Sequence, residues 1–140
     1  EQEPDDRQPE ADAQRAIVQA LRFALPRDAI VHHCANEVTE AGTRGARRQA
    51  ILVGMGVHAG FADLIVISGG RVLFLEVKSK TGRLRKSQEV FRDTVVAQGF
   101  GWALVRSVDD ALSVLADHGF TSRVQLPAGG LRHEPQSHSL

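Results

Sequence analysis

Cysteine is nearly absent from this chain, and long apolar runs are missing. The 140 residues contain a single cysteine, Cys34, which excludes an intramolecular disulfide and a zinc cluster built from cysteines. A reducing, cytoplasmic setting is therefore expected. No apolar run approaches the roughly 20 residues that a membrane span needs, and no signal-peptide pattern opens the sequence. We accordingly expect no membrane partner.

Acidic residues are also scarce in the middle of the chain, although the formal net charge is zero. Residues 41–88 contain only two, Asp63 and Glu76. The basic residues of the same stretch are Arg44, Arg47, Arg48, Arg71, Lys78, Lys80, Arg83, Arg85 and Lys86. A basic segment of this kind indicates a polyanionic partner, most commonly nucleic acid. An ordinary solvated basic surface would give the same pattern.

The length and the 42% hydrophobic content are typical of one globular domain. We predict a flexible acidic tail over residues 1–9, a folded domain over 10–118 and a flexible C-terminal tail over 119–140. An apolar stripe over residues 10–25 predicts a helix that Pro26 ends. Residues 36–50 are predicted to be a polar connection whose basic end, RGARRQ, can begin a short helix that runs to Val53. The predicted order is α-β-β-β-α-β-α, which indicates an α/β (α+β) fold with a small mixed sheet flanked by helices.

Two apolar segments on either side of the glycine pair at 69–70 predict a tight β-hairpin. If the two glycines form the loop, Asp63 lies directly opposite Glu76, and their Cβ atoms are about 4.5–5.5 Å apart. Because side chains alternate along a strand, Lys78 then shares the face of Glu76. A slip of one residue would place the two carboxylates on opposite faces.

Facing carboxylates repel each other, so a cation is expected between them. Mg²⁺ or Mn²⁺ is a natural candidate, because such ions prefer carboxylate, water and phosphate oxygens. A bound ion can polarise a phosphoryl oxygen and activate water, and Lys78 can orient that water or stabilise the charge on the phosphate. The alternative is structural: Asp63 ends a strand, and Glu76 forms a surface ion pair with Lys78 or an arginine.

A wider pattern surrounds these residues. The segment GVHAGFADLIVI, followed by GGRVLFLEVKSKTGRLRKSQ, resembles the VRR-NUC family of the PD-(D/E)XK nuclease superfamily. The matching residues are Gly56, Gly60, Asp63, Glu76, Lys78, Gly82, Arg83, Leu84 and Gln88. Glu10 and Gln14 resemble the acidic residue and glutamine of the family's first helix. The sequence departs from the family in having Ala62 where proline is usual, and in the spacing of the loop before Gln88.

The resemblance implies a restriction-endonuclease-like fold and Mg²⁺- or Mn²⁺-dependent hydrolysis of DNA phosphodiesters. Stand-alone, phage-type members resemble Holliday-junction resolvases, which implies branched DNA substrates, a homodimer and the host cytoplasm. The implied metal ligands are Asp63, Glu76, the Val77 carbonyl and Glu10. Lys78 and Gln88 are the further catalytic residues, and Gln88 is also expected to point inward from an apolar helix stripe. The candidate nucleic-acid contacts are Arg44, Arg47, Arg48, Lys80, Arg83, Arg85 and Lys86.

Two alternatives to a DNA endonuclease remain open at this point. A non-catalytic DNA-binding module on a nuclease scaffold would bind DNA in a salt-sensitive way without cleaving it. A nuclease that acts on RNA would use the same hairpin chemistry, because that chemistry addresses the phosphate alone.

Overall fold

The computed structural model describes residues 7–35 and 42–127. Within these ranges the chain forms four helices and one four-stranded sheet. In chain order the elements are α1 Arg7–Ala24, β1 Ile30–His33, α2 Gly42–Gly54, β2 Leu64–Ser68, β3 Arg71–Val77, α3 Lys86–Ala97, β4 Gly101–Val105 and α4 Val108–Asp117.

The sheet is mixed, as predicted. Its strand order is β1-β2-β3-β4; β2 is antiparallel to both β1 and β3, and β4 runs parallel to β3. Helix α3 provides the crossover that parallel pairing requires. Helix α2 is the short helix expected at the end of the polar connection; it begins at Gly42, before RGARRQ, ends at Gly54 and is an additional element beside the predicted order. Arginine and alanine, which favour helix, make up much of its first half.

The two faces of the sheet pack against different helices. On one face, Leu64 and Val66 of β2 and Leu75 of β3 join Ile17 of α1 and Leu115 of α4 in the main core. The residues that alternate with these, among them Ile65 of β2 and Phe74 and Glu76 of β3, lie on the other face. A second core lies there, formed by the buried residues Ala62, Phe91 and Val95 with Phe61, Phe74 and Trp102 against them.

The C-terminal boundary of the packed region differs from the prediction. Phe120 is 7% exposed and belongs to the main core. The Arg123 N–H donates to the Ala24 carbonyl at 2.7 Å, and Val124 packs on the same core. Residues 119–127 therefore form part of the folded unit, because they cover apolar surface at the end of α1. At the other end, α1 begins at Arg7 rather than at residue 10. The rest of both predicted tails lies outside the described residues.

Candidate functional site

The hairpin has the predicted register. Both glycines of the turn at 69–70 have positive φ, 59° and 78°, which a two-residue turn of this type requires. Leu64 pairs with Leu75. Extending this pairing by one residue puts Asp63, which immediately precedes β2, opposite Glu76 in β3. Both residues lie on the sheet face that packs against α3, and Lys78 follows on the same face.

Glu76 is the centre of a buried polar cluster. Its side chain is 1% exposed, and its Oε1 accepts a 2.8 Å hydrogen bond from Nε2 of Gln88. The ammonium nitrogen of Lys78 lies 3.6 Å from the same oxygen. Lys78 is 6% exposed and Gln88 8% exposed. The alternative of a structural ion pair is correct about the pairing of Glu76 with Lys78, but this pair is buried and not at the surface.

Asp63 fixes the end of the hairpin. It is 4% exposed, and its Oδ2 accepts a 2.8 Å hydrogen bond from the N–H of Val77. Its carbonyl accepts a 2.8 Å hydrogen bond from the N–H of Cys34, the residue after β1. Burial raises the pKa of the Cys34 thiol, and the negative charge of Asp63 raises it further. The structure therefore places the Asp63 carboxylate beside the backbone of Val77, whose carbonyl is the third implied metal ligand.

Gln88 joins the site to the start of α3. Its Oε1 accepts a 2.8 Å hydrogen bond from the N–H of Arg85, the residue that caps the helix. This is one half of a capping box, in which the third helical residue reaches back to the cap. Its Nε2 donates to Glu76, so both the oxygen and the nitrogen of the carboxamide form hydrogen bonds. The altered spacing before Gln88 therefore still gives a capped helix, and the expected inward orientation of Gln88 is observed.

A close backbone approach also positions this helix start. Gly60 has φ +77°, and a Cβ atom added to it would lie 2.1 Å from the carbonyl oxygen of Ser87. Only glycine fits such a contact, because any side chain would collide with backbone atoms. The glycine-rich segment before β2 thus packs directly on the first turn of α3, next to Gln88.

Arg106 is a site residue that the sequence analysis missed. Its Nη1 donates to the carbonyl of Ser79 and, at 2.8 Å, to the carbonyl of Gly82. The N–H of Lys78 donates to the Val105 carbonyl at 3.1 Å. The end of β4 therefore holds the loop that follows Lys78. A single arginine after a predicted strand gives no signal for such a contact, since its partners are 24 and 27 residues away.

The seven candidate DNA-contacting cations are all exposed, but they form two groups. Lys80, Arg83, Arg85 and Lys86 lie between the end of β3 and the first turn of α3, directly after Lys78. The other group lies on α2, and none of the described helices or strands packs extensively against α2. The first group therefore follows the site residues directly, whereas the second group lies on a separate helix. That second group consists of Arg44, Arg47 and Arg48.

Glu10 lies partly buried in the first turn of α1. That helix packs on the sheet face opposite to the face of Glu76. The role of Glu10 as a metal ligand stays a prediction.

The donor set at the hairpin fits a hard divalent cation. Among the described residues, no group of three or more His, Cys, Asp or Glu side chains is placed to hold a metal ion. Mg²⁺, however, is commonly bound by one or two carboxylates, with water and substrate phosphate completing its shell. Asp63 and Glu76 at the end of one hairpin supply that number of carboxylates. Backbone carbonyls and water are the remaining oxygen donors.

None of the described helices is long and apolar enough to cross a membrane. Comparison of the sequence with models of protein families and with curated proteins finds no match. The resemblance to VRR-NUC nucleases therefore depends on the motif residues themselves.

Proposed function

We propose that this protein is a nuclease that hydrolyses DNA phosphodiester bonds with the aid of Mg²⁺ or Mn²⁺. One observation carries the proposal. Asp63, Glu76 and Lys78 converge on one face at one end of a hairpin, and all three side chains are buried. Burial of two acids and an amine is costly unless the groups compensate one another or serve a ligand. The exposed cations that follow Lys78 supply the surface that a polyanion needs.

The proposed roles follow from these positions. Asp63 and Glu76 would hold the ion, together with the Val77 carbonyl. When bound, the ion supplies polarisation of a phosphoryl oxygen and an activated water. The ammonium group of Lys78, 3.6 Å from Glu76, would stabilise the negative charge that builds on the phosphate in the transition state. Gln88 keeps the Glu76 carboxylate in place.

Substrate binding would use the cations next to the site. Lys80, Arg83, Arg85 and Lys86 are exposed and can contact successive backbone phosphates without reading the base sequence. Arg106 fixes the loop that carries Lys80 through its bonds to two carbonyls. We expect binding to weaken with rising salt, because each phosphate contact releases counterions.

A second candidate, a non-catalytic DNA-binding module, is favoured by the burial of Glu76. Its carboxylate is 1% exposed and already contacts Gln88 and Lys78. Such a cluster can serve as a structural ion pair alone. The two candidates differ in whether bound DNA is cut.

The test uses linear, flapped, four-way and single-stranded DNA, and single-stranded RNA, each with Mg²⁺, Mn²⁺ or EDTA. The variants Asp63→Asn, Glu76→Gln and Lys78→Met keep approximate size and change charge. We expect metal-dependent DNA cleavage that falls by about 10²-fold or more in each variant, as for loss of one electrostatic catalytic group. Arg71→Gln is the matched control. It removes an exposed charge at the turn end of β3 and should cleave like the wild type.

Far-UV circular dichroism and thermal unfolding establish that each variant is folded. Salt-sensitive DNA binding without cleavage in either metal would contradict the nuclease proposal and favour the binding module. Cleavage confined to RNA would refute DNA as the substrate.

A further inference from the structure

A cavity of about 560 Å³ lies at the end of the sheet away from the hairpin site. The cavity is lined by the end of α1, by the connection from α1 into β1 that contains Pro26, and by Arg123 of the segment after α4. The candidate nuclease site lies at the other end of β1, where Cys34 contacts Asp63. The two sites share no residue. The cavity has the size of a small-molecule site, which typically measures about 300–1,000 Å³.

Three arginines line this cavity, and no acidic side chain does. They are Arg22, Arg27 and Arg123; the neighbouring Asp28 is exposed and is not part of the lining. Like charges gathered around one cavity repel each other, and an anion between them removes that repulsion. The charge composition of the lining therefore favours an anionic ligand.

Capping hydrogen bonds to the end of α1 account for one of these three arginines and not for the other two. Nη2 of Arg123 donates to the carbonyls of Arg22 and Phe23 at 2.8 and 3.0 Å, which satisfies the end of α1. The last carbonyl, that of Ala24, accepts from the N–H of Arg123 and from Ser122 Oγ. Across residues 7–35 and 42–127, the guanidinium groups of Arg22 and Arg27 make no hydrogen bond or ion pair. They remain available to a ligand.

The rest of the lining is apolar. Pro26, Ala29 and Val31 are partly buried and keep accessible apolar surface on the lining, whereas Leu25 is fully buried. An inorganic ion would leave this surface unused, and the cavity is far larger than one phosphate. A ligand with an apolar body beside its charged group would bury the surface and contact the arginines together.

The number of arginines distinguishes phosphate from carboxylate. A carboxylate carries one negative charge and two oxygens, which one guanidinium fork satisfies. A phosphate monoester carries about −1.5 to −2 charges and three acceptor oxygens, which match two or three guanidinium groups. Arginine also stacks on flat aromatic rings.

We propose that this arginine-lined cavity binds a phosphate monoester carried on a flat apolar body, the chemistry of a nucleoside 5′-monophosphate. The ligand comes from one of two sources, a free nucleotide or the 5′-phosphorylated end of a DNA strand. Arg22, Arg27 and Arg123 hold the phosphate, and the apolar wall of Pro26, Ala29 and Val31 receives the base. Arg123 is fixed in advance by its bonds to the end of α1, which reduces the entropy lost on binding.

The test is isothermal titration calorimetry in EDTA at low salt, with adenosine monophosphate, inorganic phosphate and adenosine as separate ligands. EDTA removes divalent metal, so the result is independent of the proposed nuclease activity. We expect adenosine monophosphate to bind more tightly than either of its two parts. Arg22→Gln and Arg27→Gln should each raise its Kd about tenfold, as expected for one charge-assisted hydrogen bond.

Arg15→Gln is the matched control, because it removes the same charge from the exposed surface of α1 and does not line the cavity. Its Kd should equal that of the wild type. Failure of adenosine monophosphate to bind at millimolar concentration, or an equal loss in Arg15→Gln, would overturn the proposal. A short oligonucleotide with and without a 5′-phosphate identifies the source. A phosphate-dependent gain in affinity that Arg27→Gln reduces supports a strand end, and the absence of such a gain beside tight nucleotide binding supports the free nucleotide.

Discussion

Replacing Gly60 by alanine tests how closely the segment before β2 packs on the start of α3. Gly60 has φ +77°, and a Cβ there would lie 2.1 Å from Ser87 O and 2.7 Å from Gln88 N. Gly70 has nearly the same φ, +78°, but nothing lies within 4 Å of its Cβ position. Both alanines carry the cost of a left-handed conformation, about 1–2 kcal/mol. Only Gly60→Ala must also push backbone atoms apart, at about 1–3 kcal/mol more.

The difference between the two variants isolates the close approach, because the effect of alanine on the unfolded chain is common to both. We expect Gly60→Ala to lower the free energy of unfolding by about 1–3 kcal/mol more than Gly70→Ala does. Urea unfolding followed by far-UV circular dichroism measures both values. The reasoning fails if Gly60→Ala is no less stable than Gly70→Ala, since the helix start would then not contact this glycine.

Three further predictions concern single side chains. Asp63→Asn should speed alkylation of Cys34 in metal-free buffer, because it removes a charge that raises the thiol pKa; an unchanged rate would contradict this. Arg106→Lys should accelerate amide hydrogen exchange in residues 79–82 about tenfold, because a hydrogen bond from the guanidinium group to a loop carbonyl is lost. Unchanged exchange would show that the loop is stable without the Arg106 hydrogen bonds. Burial lowers the pKa of His118 below its ordinary 6.5, so the folded state disfavours the charged ring. Stability should therefore fall as the pH drops below 6.5, and urea titrations of His118→Asn should show a smaller fall.

The hairpin could be predicted because its signals are local. The glycine pair at 69–70 set the turn, and the alternation of residues on either side set the faces, so Leu64 and Leu75 pair as expected. The inward orientation of Gln88 followed from the apolar stripe of its helix in the same way. These features depend on residues within one or two elements.

What the sequence did not predict depends on contacts between distant segments. Arg106 reaches the loop after Lys78 only because β4 pairs in parallel with β3. Phe120 closes the core only because α1 and α4 lie side by side. Neither residue stands in a pattern that periodicity can detect. The burial of Glu76 could not be predicted either, because it results from the packing of α3 over the hairpin.

The two hydrogen bonds of Gln88 have a mechanical consequence. Its amide nitrogen donates to the Glu76 carboxylate, and its amide oxygen accepts from the backbone N–H of Arg85 at the start of α3. Any ligand that draws the carboxylate toward itself must therefore either break a 2.8 Å bond or pull the first turn of the helix along. Lys86 stands on that turn. The binding of a ligand by Glu76 and the position of the exposed Lys86 are therefore coupled through the Gln88 side chain.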